Sequence, residues 1–429
     1  MGKKLLQIIA VLAVALFMAG PLCAKPWGIV ATDPDYYGYY SGSPDYDNET
    51  DNESIHVVDL GQTPPVVYGP FLAGQLTPER GAGVFDIALF KGGKRALIST
   101  FGDSKVHMVD LKNPANPVLM GSIELPFFAE DIAITKNGKL ALVTDGGFSP
   151  TVAFIDLKTF TLTSVFDLGE KSAQAVAISP NGKIAIFADY FGGAIHYGRI
   201  NKMRNGLESV RTIALCDAGQ YDNATDCMGP VGLPVNVTIS PNGRTVLVAI
   251  SNGGAIAAFE LTGKGDLIPG NPFILTGLPG GPISNNWSND GGNQSIAFQN
   301  DKTAYVLSQR INLPDGDEAV VRDGQVEYPD ADGERPNQLC QINILGPGRT
   351  EYVTARFTLL NSGSSQLFGV DTLAIYNRYA LVGNPTKSIS NPYDNPYYNN
   401  VAFIDLVTGV LTPIELNNYG VASGVAIKP

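Results

Sequence analysis

The chain repeats itself, and its last repeat is divided between its two ends. An apolar strand, a tight turn and a second apolar strand recur: DIALFKGGKRALIST from Asp86, DIAITKNGKLALVTD from Asp131, AVAISPNGKIAIFAD from Ala175 and NVTISPNGRTVLVAI from Asn236. Weaker copies are SIAFQNDKTAYVLS from Ser295 and TLAIYNRYALVGN from Thr372. Asn-Gly between alternating apolar runs is the strongest short-range hairpin signal, because the favoured hairpin turn needs positive φ at its centre. A second signature, a strand ending in an acid, reads IHVVDL from Ile55, VHMVDL from Val106 and VAFIDL from both Val152 and Val401. IHYGRI from Ile195, IAAFEL from Ile256 and LCQINIL from Leu339 are degenerate copies that bring it to seven.

The first signature is whole only six times. The chain ends SGVAIKP, which matches the first strand of the unit, and Gly28–Asp33 (GIVATD) matches the second strand as it stands in LALVTD. One four-stranded unit is therefore drawn from both ends, which protects the sheet edges that an open array would expose. A linear solenoid would carry capping repeats instead. The expected fold is all-β: a seven-bladed β-propeller closed by strands from both termini. It forms one domain over residues 25–429, with a seventh blade built from 25–80 and 421–429.

Composition fits such a chain. Gly 48 and Pro 29 supply turns, and only 16% of residues are charged, which argues against coiled coil, disorder and a large helical bundle. The formal net charge of −12 argues against nucleic acid as a partner, since neutralising phosphates needs Lys and Arg. Residues 1–24 read as a signal peptide: Lys3 and Lys4, an apolar run from Leu5 to Met18, then Leu22-Cys23-Ala24 as a cleavage site. Export to the periplasm or the extracellular space follows, with no transmembrane segment left after its removal. Export permits disulfides, and Cys216 and Cys227 bracket one polar segment as a loop staple. Cys340, within a strand-like run, is expected as a buried thiol.

The run NGKLALVTDGGFSPTVAFIDLKTFTLTSVFDLG (Asn137 to Gly169) resembles the repeat of YVTN-type, lactonase-like β-propellers. SKVHMVDLKNPANPVLMGS (Ser104 to Ser122) is similar to the related LVIVD repeat. The resemblance implies the seven-bladed fold. It implies little about activity, because such propellers serve as lactonases, redox-enzyme domains and cell-surface binding modules.

Strands of a blade are lettered a to d from the axis outwards. Corresponding a-strand residues Ile87, Ile132, Val176, Val237, Ile296, Leu373 and Val425 are unevenly spaced, from 44 residues (Ile132 to Val176) to 77 (Ile296 to Leu373). The excess follows strand b or strand d, so every long insertion is expected on one face, the natural working surface of a rigid scaffold. Two insertions are rich in tyrosine: Tyr36, Tyr37, Tyr39 and Tyr40 in one, Tyr393, Tyr397 and Tyr398 in the other. Tyrosine offers amphipathic contact at low entropic cost, which suits a protein or cell-surface glycan. Asp45, Asp47, Glu49, Asp51 and Glu53 alternate as in a solvated loop.

Strand a starts at that face with Asp86, Asp131, Ala175, Asn236, Ser295, Asp371 or Thr372, and Gly424. Such oxygen-bearing groups around a channel mouth fit a polar ligand, a hard divalent cation such as calcium or a hydrolytic water. The favoured account is simpler: they accept hydrogen bonds from the incoming d–a loops. No cofactor follows from the sequence. His56, His107 and His196 share one position in strand c and read as inter-blade packing. The leading expectation is a non-enzymatic exported scaffold that binds through its long-loop face. The alternative is a lactonase-like hydrolase at the channel mouth.

Overall fold

The Asn-Gly turns are built as their residue types require. Gly138, Gly182 and Gly243 hold φ of 63°, 70° and 72°. The hydroxyls of Thr135, Ser179 and Ser240 accept the amides of Leu140 (3.1 Å), Ile184 (2.9 Å) and Thr245 (2.9 Å) across those turns. The acid that ends strand c has a matching task at the next turn. Asp110, Asp156 and Asp405 each accept a backbone amide two residues on, from Lys112 (2.8 Å), Lys158 (2.7 Å) and Val407 (3.0 Å). Both signatures are thus turn devices: one closes a–b, the other c–d.

The computed structural model describes residues 26–33, 53–76, 83–146, 149–169, 172–215, 234–250, 255–270, 274–275, 293–308, 336–362, 372–383, 400–416 and 421–428. These form seven antiparallel sheets and, among the described residues, no helix. Blade 1 is Val84–Phe90, Arg95–Thr100, Lys105–Asp110 and Val118–Glu124. Blade 2 is Ile132–Ile134, Leu140–Thr144, Thr151–Asp156 and Thr161–Asp167, and blade 3 is Ala175–Ile178, Ile184–Asp189, Ala194–Ile200 and Leu207–Ala214. Blade 4 is Pro234–Ile239, Thr245–Ile250 and Ala255–Leu261, with its fourth strand in two pieces, Leu267–Pro269 and Ile274–Leu275. Blade 5 is Asn293–Asn300, Thr303–Ser308, Pro336–Gly346 and Arg349–Ser362. Blade 6 is Leu373–Tyr376, Tyr379–Gly383, Asn400–Asp405 and Val410–Glu415.

Blade 7 closes the ring as its split repeat predicts. Val421–Lys428 is strand a, pairing with Trp27–Asp33 as strand b, followed by Ser54–Asp59 and Val66–Phe71. Val425 lies opposite Val30 and Ala426 opposite Ile29, so the two ends of the chain form one hairpin without a turn.

The core is divided into seven layers, each between two neighbouring blades. Ile87, Ile98 and Val109 of blade 1 pack on Ile29, Ile55 and Ala426 of blade 7. On the other side of the same sheet, Leu97, Val106 and Met108 pack on Ile132, Val143 and Ile155 of blade 2. Side chains alternate across a strand, so each inner strand buries both faces. This is why Leu140–Thr144 and Ile184–Asp189 are buried throughout, while the outer strands Val118–Glu124 and Thr161–Asp167 are exposed at every second residue. Cys340 is buried in the layer between blades 4 and 5.

Candidate site at the channel mouth

The repeat position held by Asp86, Asp131 and Asn236 shares its side with the residue two places on, and both face the following blade. Asp86 thereby reaches blade 2, where its Oδ2 accepts the amide of Ile132 at 2.9 Å. Asp131 repeats the step one blade on, its Oδ2 accepting the amide of Val176 at 2.5 Å. Asn236 does so with the amide of Ile296 at 3.4 Å. Hydroxyls one strand out run parallel to these bonds: Ser99 donates to the Glu130 carbonyl, and Thr144 donates to the Gln174 carbonyl at 2.6 Å. Three of the expected mouth residues therefore accept hydrogen bonds from the next blade. The donors are amides of its strand a itself, rather than of the loop that leads into it. Gly424 holds the same position in blade 7. A Cβ there would lie 3.1 Å from the Phe85 carbonyl oxygen and 3.3 Å from the Asp86 Cα, so the closing strands meet backbone to backbone.

These groups surround a cavity of about 320 Å³ on the propeller axis. Every blade contributes to it, through Ile87, Ile132, Val176, Val237, Ile296, Leu373 and Val425 among others. Most of the lining side chains are aliphatic, but the surface left accessible to the cavity is mainly polar, with Asp86, Asp131, Asn236 and Thr238 among its residues.

The carboxyls there are strongly perturbed. Burial, and then the charge of Asp131, hold Asp86 well above the usual carboxylate range. Burial raises Asp131 to about 7 against the pull of the Val176 and Ile132 amides. The two side chains hydrogen-bond each other, which requires the pair to hold at least one proton between them. Glu130 is raised to about 8 by burial, offset in part by the Gln174 amide, which donates to it at 3.3 Å. Asp145 is raised by burial as well, and its Oδ1 is buried with no hydrogen-bond partner. Glu130 and Asp145 are buried acids beside Asp131, outside the cavity lining, that the repeat alignment did not single out. Glu130 directly precedes the Asp131 column, and a polar residue just before strand a was the available signal.

The histidines do not converge. In blade 1, Thr100 donates to Asp103, so His107 must present Nε2–H to Thr100 (3.0 Å) and accept the Ser122 hydroxyl at Nδ1 (2.7 Å). In blade 3, His196 joins Asp189 at 2.8 Å and Thr212 at 2.9 Å. In blade 7, His56 has neither kind of partner, and both of its ring nitrogens are buried unbonded. Its strand-b neighbour Thr32 is engaged with Ser54 at 2.9 Å. The strand-d position opposite, between Tyr68 and Phe71, is Gly69-Pro70. Burial lowers His56 and His107 to about 4.

One expectation is corrected. Glu53 is not a solvated loop residue: it is 2% exposed and accepts the Gly83 amide at 3.1 Å, joining blade 7 to blade 1. Asp371, Tyr36, Tyr37, Tyr39, Tyr40, Tyr393, Tyr397, Tyr398, Cys216 and Cys227 lie outside the described residues. So does the segment read as a signal peptide.

No protein-family model matches the chain, and no curated protein matches it in sequence. Its backbone is similar to those of several solved structures. The periplasmic gluconolactonase of Pseudomonas aeruginosa is 12% identical with a TM-score of 0.62, over 94% of this chain and 99% of that one. A candidate 6-phosphogluconolactonase from Bacteroides uniformis is 14% identical with a TM-score of 0.60, over 94% and 99%. Kuenenia stuttgartiensis hydrazine synthase is 18% identical with a TM-score of 0.51, over 76% and 77%. At such identities the likeness shows the fold, and proteins named for such different chemistries share it.

Proposed function

We propose that this protein is an exported, non-enzymatic β-propeller that binds a macromolecular or glycan partner through the face where strands b and d end. The observation that carries this reading is the engagement of the channel mouth. Asp86, Asp131 and Asn236 hold the strand-a amides of the following blades, so their oxygens serve the ring. Recognition then falls to the loops on that face, including the segments that hold Tyr36–Tyr40 and Tyr393–Tyr398. An array of surface glycans and envelope proteins tests it. Removing residues 384–400 should abolish capture of whatever the intact protein retains while the melting temperature holds. Unchanged capture would refute the reading.

A second reading is favoured by the perturbed carboxyls, since acids poised near neutrality beside a cavity are a frequent mark of catalytic sites. Here the mouth hydrolyses a lactone, in keeping with the YVTN-type resemblance and the lactonase names of two similar structures. One carboxyl of the Asp86–Asp131 pair would then activate water while the other holds the proton they share. It requires turnover of at least one member of a lactone panel, suppressed at least a hundredfold by Asp131→Asn. No turnover across the panel disposes of it.

A further inference from the structure

A second cavity, of about 330 Å³, opens on the opposite face, between the tight turns of blades 3 and 4. Its walls are the a–b turns at Asn181 and Asn242 and the c–d turn that follows Leu261. Three cations line it, Lys183, Arg199 and Arg244, against one acid, Glu260. That excess is opposite in sign to the chain, whose net charge is −12.

The cations are only partly spent within the protein. Arg199 donates one Nη2–H to the Lys264 carbonyl at 2.8 Å, which fixes its guanidinium on the wall, and it pairs with no carboxylate among the described residues. Arg244 approaches Glu260 only at 3.8 Å, the long limit of an ion pair in a solvated setting. Lys183 makes no ion pair among the described residues. The nearby Asp301 is taken by the Asn242 amide at 2.7 Å, and Asp266 by Arg211.

The backbone adds a donor. In the turn from Thr262 to Asp266, the amides of Gly265 and Asp266 bond back to Thr262. The amide of Gly263, which lines the cavity, has no hydrogen-bond partner among the described residues. A Cβ added at Gly263 would meet nothing within 4 Å, so this turn stands open at the cavity wall. Free amides beside guanidinium and ammonium groups are the donor set that binds oxyanions.

We propose that this cavity binds a tetrahedral oxyanion, the phosphate or sulfate group of a small ligand. Lys183, Arg199, Arg244 and the Gly263 amide approach from two blades and three turns. Four donors so arranged suit an anion with oxygens in several directions better than a planar carboxylate with two. The planar fork of Arg199 fits two of these oxygens, and Lys183 acts as a mobile point charge. The volume leaves room for the group that carries the oxyanion, so an ester on a sugar and the free ion share this chemistry. The site stands on residues remote from the channel mouth and does not depend on the function proposed above.

Isothermal titration of the full protein tests it, with sodium phosphate, sodium sulfate, galactose 6-sulfate and galactose as probes. Saturable binding of the anions is expected, weakening with added NaCl. Arg199→Gln and Lys183→Gln should each weaken it roughly tenfold, at unchanged melting temperature because both side chains are exposed. Tighter binding of galactose 6-sulfate than of sulfate identifies an ester as the ligand, and equal binding identifies the free ion. The proposal is overturned if no anion binds saturably, if galactose binds as well as its sulfate, or if neither substitution changes affinity.

Discussion

Asp131 shows how one residue type can be chosen against its own charge. Its Oδ2 is needed by the Val176 amide, yet burial raises its pKa to about 7. An unfolded aspartate ionises near pH 3.9. The protonated fold is thus fully favoured below about pH 4, and this contribution fades as pH rises through about 7. Asn236 performs the same task with a neutral amide, so Asp131→Asn should keep the bond and remove the share of the pH dependence that Asp131 contributes. Relative to wild type, the variant should gain on the order of 1–3 kcal/mol between pH 4 and pH 8 in urea unfolding. Asp131→Ala should instead cost about 1–3 kcal/mol by leaving the Val176 amide unbonded.

The histidines give the opposite sign. With His56 and His107 near 4 in the fold and near 6.5 unfolded, their contribution is whole above pH 6.5 and lost as pH falls through 4. His56→Leu removes two unbonded ring nitrogens and should stabilise the protein by about 1 kcal/mol at pH 7, most visibly in acid. His196→Leu, which strands buried Asp189, should destabilise it by about 2–4 kcal/mol in the same measurement. Equal effects of the two substitutions would show that hydrogen bonding does not separate these sites.

Elements are joined here by position in the repeat. A polar side chain suits the head of strand a where two blades leave room for it, and glycine is required where they do not. At Gly424 the neighbouring backbone is 3.1 Å from a would-be Cβ. Gly424→Ala should therefore cost about 1–3 kcal/mol through forced displacement of Val84–Phe90. Asn236→Ala, which loses one long bond at 3.4 Å, should cost less. Chemical denaturation ranks the two, and the reverse order would count against this account of closure.

At the scale of the molecule, stability rests on the ring being shut. Val421–Lys428 supplies strand a of blade 7 and packs beside Val84–Phe90, so it meets strands of blades 1, 6 and 7 at once. Ending the chain at residue 420 would bare the edge of Trp27–Asp33 and open two core layers. The expected result is loss of the cooperative thermal transition and association through exposed edges, seen by light scattering. A truncated chain that stays monomeric with a native transition would mean that closure is dispensable.

Blade number, strand order and closure were all legible in the residues, because each depends on local pattern. Asn137-Gly138 makes a hairpin wherever it stands, and an acid at the end of strand c caps its own turn. The Asp86, Asp131 and Asn236 column was legible as a ring for the same reason: a repeat puts equal positions at equal places. Only the tertiary structure decided what that ring does. Whether Asp86 faces solvent or the Ile132 amide depends on a blade 46 residues away in sequence. The burial of Glu53, the unbonded ring of His56 and the cationic cavity between blades 3 and 4 likewise arise where two blades meet. Hydrogen-bond partners and local dielectric are set by neighbours that packing supplies, and no single repeat contains them.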